Sequence, residues 1–191
     1  GGGGGNNGYN PLYPSAGNGG SGTVVVRYKI GSTSATKATG GFVSFYGGKT
    51  IHTFVDAGTL VVPATISDVD YIVLAGGGGG RRYHASYSGG GGGAGGYILK
   101  EGQSLPAATY PVVVGAGGAL DSNGNPSVFN SQTAVAGGRG GKSHPGPGTG
   151  GGSGGGSSSN GGGGAGQNYP GPTQQGYPGG TGSSGGGHGG G

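Results

Sequence analysis

Apolar and polar residues alternate first over residues 23–30, where Val24, Val26, Tyr28 and Ile30 fall on one face and Val25, Arg27 and Lys29 on the other. That period of two predicts a strand from Thr23 to Ile30 with a basic face toward solvent. Residues 42–46 and 49–55 flank Gly47-Gly48, a pair suited to the positive φ of a tight hairpin turn. Asp56-Ala57-Gly58 turns the chain again, and residues 59–62 form a short strand that Pro63 ends. The unbroken apolar run Tyr71-Ile72-Val73-Leu74-Ala75 reads as a strand buried on both faces, and Asp68 and Asp70 mark its beginning. Residues 97–100, 110–114, 128–129 and 133–136 supply further strands, and no segment shows a helical period.

The strand at 69–75 runs directly into Gly76–Gly80, and this junction raises the question of a dinucleotide-binding turn. Such a turn needs a helix behind it. Residues 81–88, RRYHASYS, are followed by five more glycines and offer no apolar positions at helical spacing, so the nucleotide reading fails. Residues 136–143, AGGRGGKS, come within one residue of a phosphate-binding loop, but Ala136 stands where the first glycine belongs and Pro145 and Pro147 forbid the required helix.

Glycine makes up 61 of 191 residues, yet its spacing breaks the three-residue period of collagen repeatedly. From Gly137 onward no apolar strand remains. Extended threefold glycine or polyproline II helices advance about 3.1 Å per residue and can lie side by side, bonding amide to carbonyl laterally. The glycine blocks 76–80, 89–96 and 137–191, with 1–8, are therefore expected to form a bundle of such helices. The fold class that follows is all-β: an antiparallel β-sandwich combined with a polyglycine II-type helix bundle, without substantial α-helix. Residues 1–30 are expected to close or complement a neighbouring module, 31–41 to act as a linker, 42–136 to form the sandwich, and 137–191 to pack on it as a tail.

Charge and chemistry narrow the function. The net charge is +4, but the nine Lys and Arg are scattered apart from Arg81-Arg82, so no nucleic-acid footprint is expected. The absence of cysteine removes disulfides and thiolate metal sites, and that of methionine suggests a processed product or a piece of a longer chain. No apolar run is long enough for a membrane span. Residues 121–125, DSNGN, resemble the start of a calcium loop, but Pro126 replaces the glycine of the sharp turn, and an Asn-Gly turn accounts for them better. His52, His84, His144 and His188 lie in separate segments with no local catalytic motif. We therefore expect no enzyme, no cofactor and no metal site. Tyr83, Tyr87, Tyr169 and Tyr177 stand among small polar residues, where a ring covers the glycine bundle or faces a ligand.

Several words of the sequence resemble the glycine-rich domain of bacteriophage tail-fibre and other virion or cell-surface structural proteins. They are HTF at 52–54, GTL at 58–60 with VP at 62–63, the 69–80 junction, GGAGGY at 92–97, YPVVVGAGG at 110–118 and NPSVF at 125–129. The resemblance implies a structural or adhesive protein without catalytic residues, located outside the cell or on a virion. Words like those at 20–28 close a module in that family, whereas here they come first. The expected assembly strand is thus Thr23, Val24, Val25, Val26, Arg27, Tyr28, Lys29 and Ile30, pairing with a neighbouring copy in a head-to-tail fibre. In the alternative, an adhesin or lectin-like module, Arg81, Arg82, Tyr83, His84 and Tyr87 form a loop that recognises a surface glycan or receptor. Binding to ice ranks below both, because threonine does not recur at a fixed period.

Overall fold

The structure is a computed structural model that describes residues 1–5, 16–30, 36–81, 88–142, 146–168, 171, 173–183 and 189–191. Nine strands and no helix occur among the described residues: β1 (Thr23–Lys29), β2 (Phe42–Tyr46), β3 (Lys49–Phe54), β4 (Gly58–Val62), β5 (Ile66–Leu74), β6 (Tyr97–Leu105), β7 (Ala108–Val112), β8 (Ser127–Phe129) and β9 (Gln132–Ala134). All the strand pairings are antiparallel.

One layer of the sandwich is a five-stranded sheet in the order β2-β3-β1-β5-β6. The other is assembled from β4-β7 and β8-β9, joined by the bridge between Val113 and Val128 and extended by the bridge between Thr39 and Val61. The period-two pattern of the first strand explains its burial: Val24, Val26 and Tyr28 enter the core while Arg27 and Lys29 stay exposed. Phe54, Val69, Tyr71 and Val73 join them from the same sheet and meet Leu60, Val62, Val112, Phe129 and Ala134 from the other layer. Phe129 sits at the centre, edge-on to Tyr71 at 5.0 Å and tilted to Tyr110 at 6.0 Å.

Two details depart from the sequence reading. The strand expected to end at Lys100 continues to Leu105, because Gly102 at φ 61° lets it turn through a pairing irregularity opposite β5. Asp68 and Asp70 lie inside β5, which already begins at Ile66. Asp68 has φ 57° at that irregularity. Asp70 is buried on the outer face of the sheet, where it accepts from Lys49 Nζ at 2.9 Å, Arg27 Nε at 3.0 Å and Gly102 N at 3.0 Å. These donors, Lys49 first, hold its carboxyl below the usual carboxylate range.

Beyond the sandwich the chain runs as extended tracts. The tract at 76–81 is buried throughout, and its amides follow a strict period of three. Gly76 and Gly79 donate to Asn125 and Ser122, Gly77 and Gly80 to Gly20 and Gly17, and Gly78 and Arg81 to Gly93 and Gly90, all at 2.8–3.0 Å. Its carbonyls point between these directions: Gly76 and Gly79 accept from Gly137 and Gly140, Gly77 and Gly80 from Gly118 and Asp121, and Gly78 from Gly3. The tract is thus surrounded on six sides, as a threefold helix is in a hexagonal array.

A second centre repeats the arrangement. Ser153 and Gly156 donate to Ala94 and Gly91, Gly154 and Ser157 to Tyr177 and Gly180, and Gly155 and Ser158 to Thr149 and Gly146. Gly138 and Gly141 donate to Ser153 and Gly156, so the tracts at 90–94 and 136–141 are shared between the two centres.

Candidate functional site

Where the hydrogen-bonded tracts approach most closely they leave no room for a side chain. A Cβ added to Gly78 would be driven into the carbonyl oxygen of Gly138, one on Gly155 into that of Arg139, and one on Gly80 into that of Gly4. Glycine is required here by close backbone approach, since no described residue of the tract at 76–81 has a positive φ. The residues of the phosphate-loop-like segment 136–142 have the same role, with Gly137, Gly138, Gly140 and Gly141 each donating to another tract. Their amides are committed to protein carbonyls and do not form an anion cradle.

The bundle also recruits the segment 115–125, which contains the expected Asn-Gly turn at 121–125. Within 115–125, Gly118, Asp121, Gly124 and Asn125 donate to Gly77, Gly80, Gly137 and Ala116, and Asn123 Oδ1 accepts from Arg139 N at 2.9 Å and Thr149 Oγ1 at 2.7 Å. Three consecutive serines, Ser157, Ser158 and Ser159, are fully buried. Ser157 and Ser158 hydroxyls donate to the carbonyls of Gly180 and Gly146 at 3.2 and 3.3 Å. The one signal for these roles in the sequence was their position between glycine blocks.

Of the loop residues proposed for recognition, Arg82, Tyr83, His84 and Tyr87 lie outside the described residues. Arg81 is buried, its Nε pairing with Asp121 at 3.0 Å and its Nη1 donating to the Asp121 carbonyl at 3.3 Å. Its guanidinium therefore points into the bundle instead of outward, and its amide donates to Gly90, which holds the two ends of the loop together. Tyr177 is 61% exposed, and its carbonyl accepts from Gly154 N within the bundle. Tyr83, Tyr87 and Tyr169 are outside the described residues.

The expected assembly strand, Thr23 to Ile30, occupies the middle of its own sheet. β1 pairs along its length with β3 on one side, from Val24 with Phe54 to Lys29 with Lys49, and with β5 on the other, from Thr23 with Leu74 to Tyr28 with Val69. Ile30 N donates to Gly48 O beyond the strand's end. Within one chain it has no open edge to offer, because both its sides are paired, and its Val24, Val26 and Tyr28 complete the core.

Behind β1 lies a closed polar network. His52, fully buried on β3, places Nδ1 2.7 Å from the Gly40 carbonyl and Nε2 2.9 Å from the Tyr28 hydroxyl, which in turn accepts from Ala38 N at 3.1 Å. A carbonyl only accepts, so Nδ1 carries the proton and Nε2 accepts from Tyr28. Burial holds the imidazole pKa below its ordinary value, partly opposed by the Gly40 carbonyl, and pushes the Tyr28 hydroxyl up. The pair pins residues 38–40, the return of the chain from β1 toward β2.

Among the described residues no group of three acidic, histidine or cysteine side chains could hold a metal, and no helix is long and apolar enough to cross a membrane. A shallow groove of about 300 Å³ lies on the outer sheet face, with Val25, Ile72 and Leu99 beside Arg27 and Asp70, and the Asp70 carboxylate in it is taken up by Lys49 and Arg27. Neither curated proteins nor solved structures yield a match to the chain. A family model described as a glycine-rich domain matches residues 50–191. That span holds β4–β9, all but the start of β3, and most of the laterally bonded tracts, and the chain belongs to the glycine-rich domain family.

Proposed function

We propose that the protein is a non-enzymatic structural subunit of an extracellular or virion fibre, of the phage tail-fibre kind, whose partner is another copy of itself. The observation that carries this reading is the tract at 76–81 bonded on six sides. Glycine-rich chain of this kind is a rigid body and not a tether, which suits a load-bearing element. Head-to-tail growth would exchange residues 1–30 between copies through the connection at 31–41. β1 would then make in its neighbour the same contacts with β3 and β5 that it makes in its own chain, so exchange creates no new interface to optimise. Electron microscopy of the purified protein tests this: filaments with a regular axial rise are expected, and single-copy particles at every concentration would overturn it.

A second reading, an adhesin that recognises a glycan or receptor, draws on the loop at 82–87. Its ends are fixed by the Arg81 to Asp121 ion pair and by the bond from Arg81 N to Gly90 O. A rigid base of this sort lowers the entropy lost on binding. Excising 82–87 should then abolish attachment to cells and leave filaments intact.

A further inference from the structure

The five-stranded sheet has two outer edges, and they are finished differently. β6 is blunted: Tyr97 N is already bonded to Gln175 O at 3.0 Å, Gly102 at φ 61° bends the strand, and Lys100 and Glu101 stand beside the pairing irregularity. These are the devices by which edge strands avoid pairing. β2 has none of them. All five of its residues are exposed, with Phe42 at 70%, Phe45 at 58% and Tyr46 at 81%, and it contains no charge, proline or bulge.

The hairpin sets which of its amides face outward. Gly47 and Gly48, at φ 56° and 72°, make a two-residue turn closed by the pair Tyr46 and Lys49. Bonded and non-bonded pairs alternate along an antiparallel ladder, so Tyr46, Ser44 and Phe42 direct their main-chain groups to β3, and Val43 and Phe45 direct theirs to the open edge. The bond from Ile30 N to Gly48 O, on the far side of β3, agrees with this parity.

We propose that β2 is a self-association edge, at which two copies of the chain pair their β2 strands antiparallel about a dyad at Ser44. This register sets Val43 opposite the partner's Phe45, so the four outward N–H groups of the two strands meet the four outward carbonyls. It also sets Phe42 opposite the partner's Tyr46, and the small Ser44 opposite its own copy where side chains come closest. Aromatic pairs of this kind are the units that stabilise a sheet. With ring side chains of roughly 150–250 Å² each, the three exposed aromatics offer on the order of 400 Å² per copy. Val43 and the strand backbone bring the area on offer to at most about 1,000 Å² for the pair, at the lower bound for a biological interface and in the range of a weak, reversible dimer. Two sheets would join into one of ten strands, independently of head-to-tail growth.

Because the chain has no cysteine, a single engineered one reports the register. Residues opposite each other at a non-bonded position have Cα atoms about 4.5 Å apart, within the disulfide range of about 4.4–6.8 Å. Mild oxidation of Ser44→Cys at micromolar concentration should therefore give a covalent dimer, and Phe42→Cys should not. No dimer with Ser44→Cys, or equal cross-linking of both variants, would overturn the proposal. Val43→Lys with Phe45→Lys sets like charges opposite each other across the dyad and should weaken association at least tenfold by sedimentation velocity. Val43→Lys with Phe45→Glu should restore it, and failure to do so would rule out this register. Positions 43 and 45 are exposed, so an unchanged thermal midpoint establishes that the variants fold. Cross-linking is read without reference to filaments, so either idea can fail while the other stands.

Discussion

The sandwich and the glycine bundle both bury backbone, but they do so by opposite means. In the sandwich, strands satisfy their amides within sheets, and apolar side chains such as Phe129, Val26 and Leu60 fill the space between layers. In the bundle few side chains intervene, and the tracts at its two centres, 76–81 and 153–158, satisfy their amides in three directions at once. The first arrangement tolerates changes of shape that conserve volume. The second has little volume to exchange, because the atom nearest an added Cβ at each of Gly76–Gly80, and at Gly154 and Gly155, is main chain.

Substitution should expose that contrast most strongly at the centre of the bundle. Gly78→Val forces a branched side chain against Gly138 and is expected to cost above about 5 kcal/mol, the range reserved for gross disruption. Loss of amide protection across 76–81 in hydrogen exchange would accompany it; full protection would contradict the six-sided packing. Phe129→Ala in the sandwich should cost about 3–5 kcal/mol, whereas Phe129→Leu should retain most of the stability in denaturant unfolding.

Acid should strike the sandwich before the bundle, which has few titrating groups at its two centres. The folded-state pKa of His52 is depressed, so between it and the ordinary value near 6.5 the unfolded chain binds a proton that the folded one does not. Stability is then full above about pH 6.5 and falls as the pH drops below that value, by at most about 1.4 kcal/mol per unit. Asp70, also depressed, adds a second loss below about pH 4, as its ion pairs with Lys49 and Arg27 are given up. Unfolding midpoints from pH 8 to 3 check both, and His52→Gln should flatten the upper window. The smallest effect is expected at Gly162, which is exposed with nothing within 4 Å of an added Cβ. Gly162→Ala should stabilise the protein by up to about 1 kcal/mol through the unfolded state, and a large loss there would mean that rim and centre do not differ.

Much of the sandwich was legible because its residues alternate. Val24, Val26 and Tyr28 announce their face, and Gly47-Gly48 announces the hairpin. The continuation of β6 through Glu101, Gly102 and Gln103 was not, because polar residues on an exposed edge carry no apolar period. The bundle was legible as a kind of structure but not as an arrangement. A glycine bears no mark of which neighbour it will meet, and Asp121, Ser122 and Asn123 looked like a turn although the backbone around them completes the ring about 76–81. Arg81 illustrates the same limit: a basic residue in a loop read as outward-facing, and only its distance to Asp121 reveals its inward course.

The three-residue phase of the tract at 76–81 has a consequence for how such a chain can change its length. Each residue turns the helix by a third, so deleting one glycine would redirect every later amide from its own neighbour to the next one around the ring. Removal or insertion of a whole triplet restores the directions and only lengthens or shortens the rod. Drift in these tracts should therefore proceed in steps of three codons, a reading frame imposed by packing on top of the genetic one.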